Sequence, residues 1–254
     1  MKIAAIYDIH GNLTALNAVL EEICSEEIEM LLVGGDVVAG PLPNETLTRL
    51  IEIDIPTQFI LGNAESEVLS CLTNQAIGGL SERAEEEARW LSKKLTKEHI
   101  NFLRDWESIF SVELEKWGKV IFCHGTPRSD VEIFTQNTSE QKLLSIFASV
   151  AASLVVCGHT HIQFDRSVGK TRIVNAGSVG MAFGATGANW LLLNEDIEMR
   201  HTEYNLAEAA DLIMQSDYPY AKEFVENYVL QTPSKENMLA LLTEMEKRQS
   251  ISIE

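Results

Sequence analysis

The first quarter of the chain alternates between a strand pattern and a helix pattern. Residues Lys2–Tyr7 are mostly apolar and end at Asp8, and apolar residues then recur at helical spacing from Leu13 to Ile23. A buried strand followed by an amphipathic helix produces this pattern. Successive strand–helix units predict parallel strands joined by right-handed crossovers. Two further strands are predicted at Met30–Val33 and Thr57–Leu61, with a helix from about Glu45 to Glu52 between them.

The middle of the chain is predicted to change from helical to strand-rich. From about Leu80 to Asp105 the pattern is charged and helical, and one apolar stripe is expected to be buried. That stripe consists of Trp90, Leu91, Leu95, Ile100 and Leu103. Beyond it, the only strong helix lies at Ser139–Ala151, and Gly169 indicates a hairpin-like turn. The predicted strands are Phe110–Leu114, Lys119–Cys123, Leu154–Cys157, Phe164–Val168, Thr171–Val174 and Trp190–Leu193.

The last fifty residues return to a helical pattern that Pro219 and Pro233 interrupt. Helices are predicted at Leu206–Met214, Tyr220–Tyr228 and Ser234–Lys247. We therefore expect an α/β domain over residues 1–203, in which two facing sheets carry helices outside, and a helical C-terminal extension over residues 204–254. This extension is expected to pack on the domain, to cover its functional site or to contact a second copy in a homo-oligomer.

The charge of the chain restricts the ligands that it can bind. A formal net charge of −18 repels nucleic-acid backbones, so general binding to them is not expected. A phosphate-bearing substrate is compatible with this charge if bound metals supply local positive charge. No apolar stretch approaches the roughly 20 residues needed to cross a bilayer, and no signal-peptide core follows Met1. We therefore expect a cytoplasmic protein that has no membrane segment.

Candidate metal ligands follow five of the predicted strands. They are Asp8, His10, Asp36, Asn63, His124, His159 and His161. The carboxyl ends of strands in an open α/β sheet converge on one crevice, so these side chains are expected to meet. Two carboxylates, one carboxamide and four imidazoles suffice for two adjacent divalent cations if a carboxylate such as Asp36 bridges them. The imidazoles favour Mn, Fe, Zn or Ni over Mg or Ca, and the sequence thus predicts a transition-metal pair.

Each of these clusters, taken alone, also has an ordinary structural explanation. An Asp after a strand commonly caps a helix or forms a turn, and Gly-Asn is typical of turns. The segment Gly158–His161 is more specific, because two imidazoles at the end of a buried strand have little structural use. Five clusters that each follow a strand favour the metal site over the structural explanations.

The order of these motifs resembles that of the calcineurin-like metallophosphoesterases, and their small bacterial and archaeal phosphodiesterase-like branch in particular. The similarity runs from Met1 to about Glu203. The matching segments are YDIHGN (Tyr7–Asn12), GGDVVAGPLPN (Gly34–Asn44), GNAE (Gly62–Glu65), CHGTPRSD (Cys123–Asp130), GHTH (Gly158–His161) and NAGSVG (Asn175–Gly180). The resemblance implies a four-layer α-β-β-α sandwich with a C-terminal helical appendage.

The resemblance also implies how the metals are held and used. One ion is expected to be bound by Asp8, His10 and His161, the other by Asn63, His124 and His159, with Asp36 bridging both. Asp36, Asn63 and His124 are expected to be the catalytic residues, and Mn is favoured among the candidate metals. The implied enzyme is a metal-dependent phosphoric ester hydrolase in which a hydroxide held between the ions attacks phosphorus in line.

The sequence departs from the family pattern at Ala64, where the third motif usually carries a His that contacts the phosphate or protonates the leaving group. Because a methyl group donates no proton, alkoxide leaving groups are expected to suffer most. This favours a phosphodiester or a pyrophosphate-type bond. The leading prediction is a phosphodiesterase acting on a small or nucleotide-like substrate. The alternatives are a phosphomonoesterase, a dinucleoside-polyphosphate hydrolase and a non-enzymatic scaffold that binds metal and a phosphate ligand.

Five further polar residues are weaker candidates for contacts to the substrate or to the metal ligands. Asn12 either touches substrate or stabilises a turn, and Glu65 either orients the neighbouring carboxamide or caps the helix that follows. Arg128 either clamps a phosphate or forms an exposed salt bridge. Asn175 and Ser178 resemble a family loop near the metals and are expected behind the ligands.

Overall fold

The structure is a computed structural model that describes residues 1–73 and 81–251. The strands in these ranges are β1 (Ile3–Ile6), β2 (Met30–Val33), β3 (Thr57–Phe59), β4 (Ile109–Leu114), β5 (Gly118–Cys123), β6 (Leu154–Cys157), β7 (Phe164–Val168), β8 (Thr171–Asn175), β9 (Ala188–Leu193) and β10 (Ile197–Thr202). The helices are α1 (Leu13–Cys24), α2 (Pro43–Ile51), α3 (Asn63–Leu72), α4 (Glu82–Lys94), α5 (Lys97–Arg104), α6 (Glu140–Phe147), α7 (Leu206–Met214), α8 (Ala221–Phe224), which continues into a π-helical turn (Val225–Val229), and α9 (Lys235–Ile251).

The strands form two five-stranded sheets. The first has the order β10-β9-β1-β2-β3, in which β1, β2 and β3 are parallel and β9 runs antiparallel to both of its neighbours. The second has the order β4-β5-β6-β8-β7, with a parallel centre and antiparallel edge strands. The parallel strands predicted for the first quarter of the chain are confirmed, because β1 pairs with β2, and β2 with β3, in parallel.

Alternate residues of the central strands point into different cores, because successive side chains of a strand face opposite sides of a sheet. On β1, Ala4 and Ile6 face the cluster under α1 to α5, whereas Ile3 and Ala5 face the second sheet. A third core lies between the second sheet and α6. Three cores separate four layers, which confirms the predicted α-β-β-α sandwich.

The region predicted to be helical from about Leu80 to Asp105 forms two helices, α4 and α5, and Leu80 itself lies outside the described residues. Leu95 is extended, with ψ of 137°, and ends α4. The side chain of Thr96 then accepts a hydrogen bond from the main-chain N–H of His99 at 3.1 Å and caps α5. In the predicted stripe Leu91, Leu95 and Leu103 are buried, while Trp90 and Ile100 are partly buried against the same core.

A helix boundary and an edge strand also differ from the prediction. Helix α6 ends at Phe147 rather than at Ala151, because Ser153 already bonds to the strands on either side of β6, through Lys119 O at 3.0 Å and the N–H of Arg172 at 2.9 Å. Strand β10 was not predicted, since its charged residues alternate along an exposed edge of the sheet. An apolar pattern therefore reveals it poorly.

The helices predicted for the C-terminal extension are present as α7, as α8 with its π-helical turn, and as α9. Helix α7 and the π-helical turn share an apolar cluster, and Leu242 of α9 packs on Ile133 and Ile162. In residues 1–73 and 81–251, no helix combines the length and the apolar character needed to cross a membrane. The division into residues 1–203 and 204–254 stays a prediction.

Candidate metal centre

All seven candidate ligands lie in loops or at a helix start beyond the carboxyl ends of five strands. Asp8 follows β1, Asp36 follows β2, and Asn63 opens α3 after β3. His124 directly follows β5, and the loop after β6 carries the remaining histidine pair. Main-chain hydrogen bonds join the first two loops, from Asp8 N to Gly35 O at 3.0 Å and from His10 N to Asp36 O at 2.9 Å. The strands of both sheets thus deliver the candidates to one place.

Five of the candidates adopt a backbone conformation that L-residues rarely use. Asp8, His10, Asp36, His159 and His161 have φ between 49° and 67°. Such a conformation costs on the order of 1–3 kcal/mol per residue and persists where the surrounding structure holds it. Its concentration in these loops is typical of a functional site.

The candidates form two groups of ligand atoms, each with its atoms within 4.8 Å of one another. The first comprises Asp8, His10 and His161, and the second comprises Asp36, His124 and His159. In the first group the Nε2 atoms of the two histidines are 3.1 Å apart, and His161 Nε2 is 3.4 Å from Asp8 Oδ1.

Asp36 lies between the two groups. Its Oδ1 is 3.5 Å from His124 Nε2, and its Oδ2 is 4.0 Å from His10 Nε2 in the other group. The main-chain N–H of Ala64 also donates to Oδ1 at 2.9 Å. One carboxylate therefore turns an oxygen toward each group, as a bridging ligand requires.

Three of the imidazoles are oriented in the same way, because Nδ1 of each lies beside a main-chain carbonyl. The pairs are His10 with Ala39 O at 2.8 Å, His124 with Gly34 O at 2.9 Å and His161 with Met181 O at 3.1 Å. A carbonyl only accepts, so Nδ1 must carry the hydrogen and Nε2 keeps its lone pair. This arrangement is common for metal-binding histidines.

Several buried polar atoms of the site lack a hydrogen-bond partner within the described part of the chain. They are Asp8 Oδ1, Asn63 Oδ1 and His124 Nε2. Leaving such atoms unpaired is costly, and native structures avoid it unless an ion or water satisfies them. All three atoms carry a lone pair toward the same region, and the donor set therefore fits divalent cations.

The pKa shifts in the two groups indicate which side chains are charged and which are neutral. Burial raises the pKa of Asp36, but the neighbouring His124 imidazole outweighs it and holds the pKa well below its usual range. Burial lowers the pKa of His124, whereas Asp36 raises it more strongly, to about 10. Burial together with His124 lowers the pKa of His159 to about 4. Without a cation, Asp36 thus favours a proton on His124 Nε2, at the position that a bound cation would take, whereas His159 is a neutral imidazole that is suited to coordination.

Glu65 fixes the loop that carries Asp36, a contact that was not expected from the sequence. The carboxylate is fully buried and accepts main-chain N–H groups at distances between 2.8 and 3.1 Å. The donors are Asp36, Val37, Val38 and Gly62. The bond from Gly62 also caps α3, which was one of the two roles considered for Glu65.

Asn175 and Ser178 lie behind the candidate ligands and hold two of their loops. The Asn175 amide donates to Gly158 O at 2.5 Å and to the Thr160 hydroxyl at 3.1 Å. The Ser178 hydroxyl donates to the main-chain oxygen of Asp8 at 2.7 Å. Neither side chain is exposed, so both act on the ligands through the backbone.

Asn12 and Arg128 are occupied by structural contacts. Asn12 accepts the N–H of Ala15 at 3.2 Å, which caps α1, and its amide donates to Gly180 O at 3.2 Å. Arg128 is exposed and forms a two-pronged salt bridge with Glu132, in which Nε is 2.8 Å from Oε2 and Nη2 is 2.5 Å from Oε1. These contacts favour the structural alternative for each residue.

Sequence reasoning missed two side chains that touch the candidate ligands. Glu67 accepts the amide of Asn63 at 3.2 Å, and burial raises its pKa to about 7. The ring of Phe183 stacks on the His161 imidazole at 5.2 Å between centroids. The spacing of four residues between Asn63 and Glu67 on α3 could have indicated this contact from the sequence. Phe183 lies 22 positions from His161, and no local pattern connects them.

Comparisons with known proteins agree with this architecture. Residues 1–196 match the family model of the calcineurin-like phosphoesterase superfamily domain. An uncharacterized protein of Methanocaldococcus jannaschii is 29% identical over 237 residues, which cover 85% of this chain and 93% of that protein.

Two solved structures share the fold. A hypothetical protein of Pyrococcus horikoshii OT3 is 18% identical with a TM-score of 0.76, over 91% of this chain and 99% of that one. A metallophosphoesterase of Sphaerobacter thermophilus is 22% identical with a TM-score of 0.68, over 89% and 97%. The family predicted from the motifs is confirmed by the family model. The chain belongs to the calcineurin-like phosphoesterase superfamily, and it is a metal-dependent phosphoric ester hydrolase.

Proposed function

We propose that the protein is a phosphodiesterase that uses two divalent transition-metal ions, with Mn favoured, to hydrolyse a small or nucleotide-like phosphodiester. The observation that carries the proposal is the position of Asp36, whose two oxygens face two separate groups of ligand atoms. A single-ion site has no need of such an arrangement. Two ions with a shared carboxylate are the usual arrangement for displacement at phosphorus.

In this proposal each ion is held by three ligands besides the shared Asp36. The first set is Asp8, His10 and His161, and the second is Asn63, His124 and His159. Imidazole nitrogens in both sets favour Mn, Fe, Zn or Ni. When bound, two such ions provide a nucleophile at neutral pH and compensate the charge of the phosphate.

The preference for a diester rests on the side chains beside Asn63. Ala64 is only 4% exposed and offers no proton, so leaving groups that depart as stable anions suit the site best. Burial raises the pKa of Glu67, and the nearby carboxylates of Asp36, Asp130 and Glu87 raise it further, to about 7. Their negative charge opposes a dianionic monoester more than a monoanionic diester.

The test is hydrolysis of bis(p-nitrophenyl) phosphate by the purified protein with added Mn. We expect turnover in the wild type and its loss in Asp36→Asn, because the neutral amide cannot serve two cations. Asp211→Asn, an exposed position on α7, is the matched control and should keep full activity. Bound Mn per chain should be measured alongside, and two ions in the wild type are expected.

Rates on p-nitrophenyl phosphate and on a dinucleoside polyphosphate, measured side by side, separate the alternatives. A monoester or a polyphosphate that is hydrolysed faster than every diester contradicts the proposed preference. A metal-loaded wild type that is inactive on all three substrate types contradicts the enzymatic proposal.

A further inference from the structure

A cavity of about 210 Å³ lies directly beside the metal centre. It begins at His124, a proposed ligand, and extends between Leu61 and the loop of residues 126–130. Ser108 and Ile109, which are exposed, also line it. Pockets for drug-sized ligands measure roughly 300–1,000 Å³, so this one holds a single small group.

The walls of the cavity combine apolar and hydrogen-bonding groups. Leu61, Ile109 and Pro127 supply the apolar surface. Ser129 and Asp130, together with the exposed Ser108, supply hydroxyl and carboxylate groups. A ligand that has carbon faces and several hydroxyl groups matches this mixture better than a purely apolar or a purely ionic ligand.

Asp130 is held so that it can accept further hydrogen bonds. The Ser66 hydroxyl on α3 donates to its Oδ2 at 2.8 Å, which anchors the carboxylate between α3 and the 126–130 loop. Its other oxygen is available to the hydroxyl groups of a ligand, and hydrogen bonds to a charged acceptor are stronger than those between neutral groups.

The charge around the cavity argues against an anionic group there. Arg128 forms a salt bridge with Glu132 and also donates to Ser145 O at 3.2 Å, so it does not neutralise the charge of Asp130. Glu67 lies on the same side of the metal centre, beside Asn63. A second phosphate, as in a polyphosphate chain, would meet the Asp130 carboxylate, whereas the guanidinium of Arg128, which also lines the cavity, is already paired with Glu132.

We propose that this cavity binds a small, uncharged polyhydroxylated group of the diester, of the size of a glyceryl or a pentosyl group, and that Asp130 accepts hydrogen bonds from its hydroxyls. The inference rests on the proposed phosphodiesterase and names its substrate class. It makes Asp130 a residue that determines specificity and leaves the chemistry at phosphorus to the metal centre.

Three diesters that all release p-nitrophenolate test the inference with the Mn-loaded protein. Water adds to phosphorus and p-nitrophenolate leaves in each case, and only the second ester group differs: ethyl, glyceryl or uridin-5′-yl. We expect kcat/KM for the glyceryl or the uridinyl ester to exceed that of the ethyl ester about tenfold, mainly through KM. The two hydroxylated substrates distinguish a glyceryl from a pentosyl preference.

Asp130→Ala should reduce this preference to about twofold or less, because kcat/KM falls more for the hydroxylated esters than for the ethyl ester. Glu113→Ala, an exposed carboxylate on β4, is the matched control and should leave the preference intact. Equal rates on all three diesters, or a preference that survives Asp130→Ala, overturn the inference and leave the phosphodiesterase standing.

A binding measurement covers the case in which none of the three diesters is hydrolysed. Titration calorimetry of the Mn-loaded protein with glycerol 3-phosphate, uridine 5′-monophosphate and ethyl phosphate compares binding of the same groups, and released phosphate is measured in the same samples to show that the ligands stay intact. We expect one of the first two to bind at least about fivefold more tightly than ethyl phosphate, and this advantage should disappear in Asp130→Ala. Equal affinities of the three overturn the inference.

Discussion

The two sides of the metal centre are supported differently. On the side of Asp8, His10 and His161, main-chain contacts and an aromatic ring surround the ligands, and Phe183 links His161 to the apolar cluster that includes Leu242 of α9. On the side of Asn63 and His124, a main-chain carbonyl also orients the imidazole, but the other neighbours are carboxylates and a cavity. The first side encloses its ligands, whereas the second provides the space and the negative charge on which the proposed substrate preference rests.

The largest effect is expected at Glu65, which holds the main chain of Asp36, the residue that both sides share. Glu65→Ala leaves four buried N–H groups without an acceptor, and each unpaired group costs roughly 1–3 kcal/mol of unfolding free energy. We expect a loss of about 3 kcal/mol or more in urea unfolding and a fall of at least about 100-fold in kcat with the aryl diester. Glu82→Ala, exposed in the first turn of α4, is the control. Wild-type activity in Glu65→Ala would show that the Asp36 loop keeps its conformation without the hydrogen bonds to Glu65.

A smaller gain is expected from Ala64→His on the Asn63 side. The substitution restores a proton donor where the family usually has one, and general acid catalysis contributes about 10²–10⁴-fold where it operates. Because α3 carries only a methyl group at this position, we expect the added imidazole to act below the full range. The expected result is at least about a tenfold rise in kcat for alkyl monoesters and little change for aryl diesters. Ala64→Leu separates the effect of size from that of the proton. An unchanged monoester rate would show that another residue already serves as donor.

A change on the opposite side should alter metal binding more than turnover. Phe183→Ala removes the ring that stacks on His161, and such pairs contribute about 0.5–1.5 kcal/mol. We expect the affinity for one of the Mn ions to fall about three- to tenfold, with kcat recovered at saturating Mn. Phe183→Leu keeps an apolar side chain and should lie between the two. A lower kcat that excess Mn does not restore would indicate that Phe183 contacts the substrate.

The smallest effect is expected from Glu67→Gln, which tests the charge of the Asn63 side. The amide oxygen still accepts from Asn63, but the carboxylate charge is lost. We expect KM for a dianionic monoester to fall about two- to threefold while KM for a diester stays the same. In Glu67→Ala the acceptor is lost as well, and Mn affinity should also decrease. Equal changes in both KM values would show that charge is not the basis of the proposed preference for a diester over a monoester.

The difference between the two sides also explains which site residues local patterns could identify. Asp8, His124 and His159 were recognisable because each follows an apolar strand at once, and a strand end is a local feature. Glu65 was recognised only as a helix cap, since its main contacts are with a loop 27 to 29 residues earlier. For Arg128 two roles stood open, and its contacts to Glu132 favour the salt bridge.

By itself, the sequence determined the strand–helix alternation, the four layers and the chemical types of the ligands, because hydrophobic periodicity and short motifs depend on neighbours along the chain. The tertiary structure alone decided where helix α6 ends, that β10 forms, and which carbonyls orient the imidazoles. It also decided that one side of the metal centre carries Phe183 and the other a cavity. These features depend on contacts between residues far apart in sequence, such as His161 with Phe183, and folding brings them together through packing that no local pattern encodes.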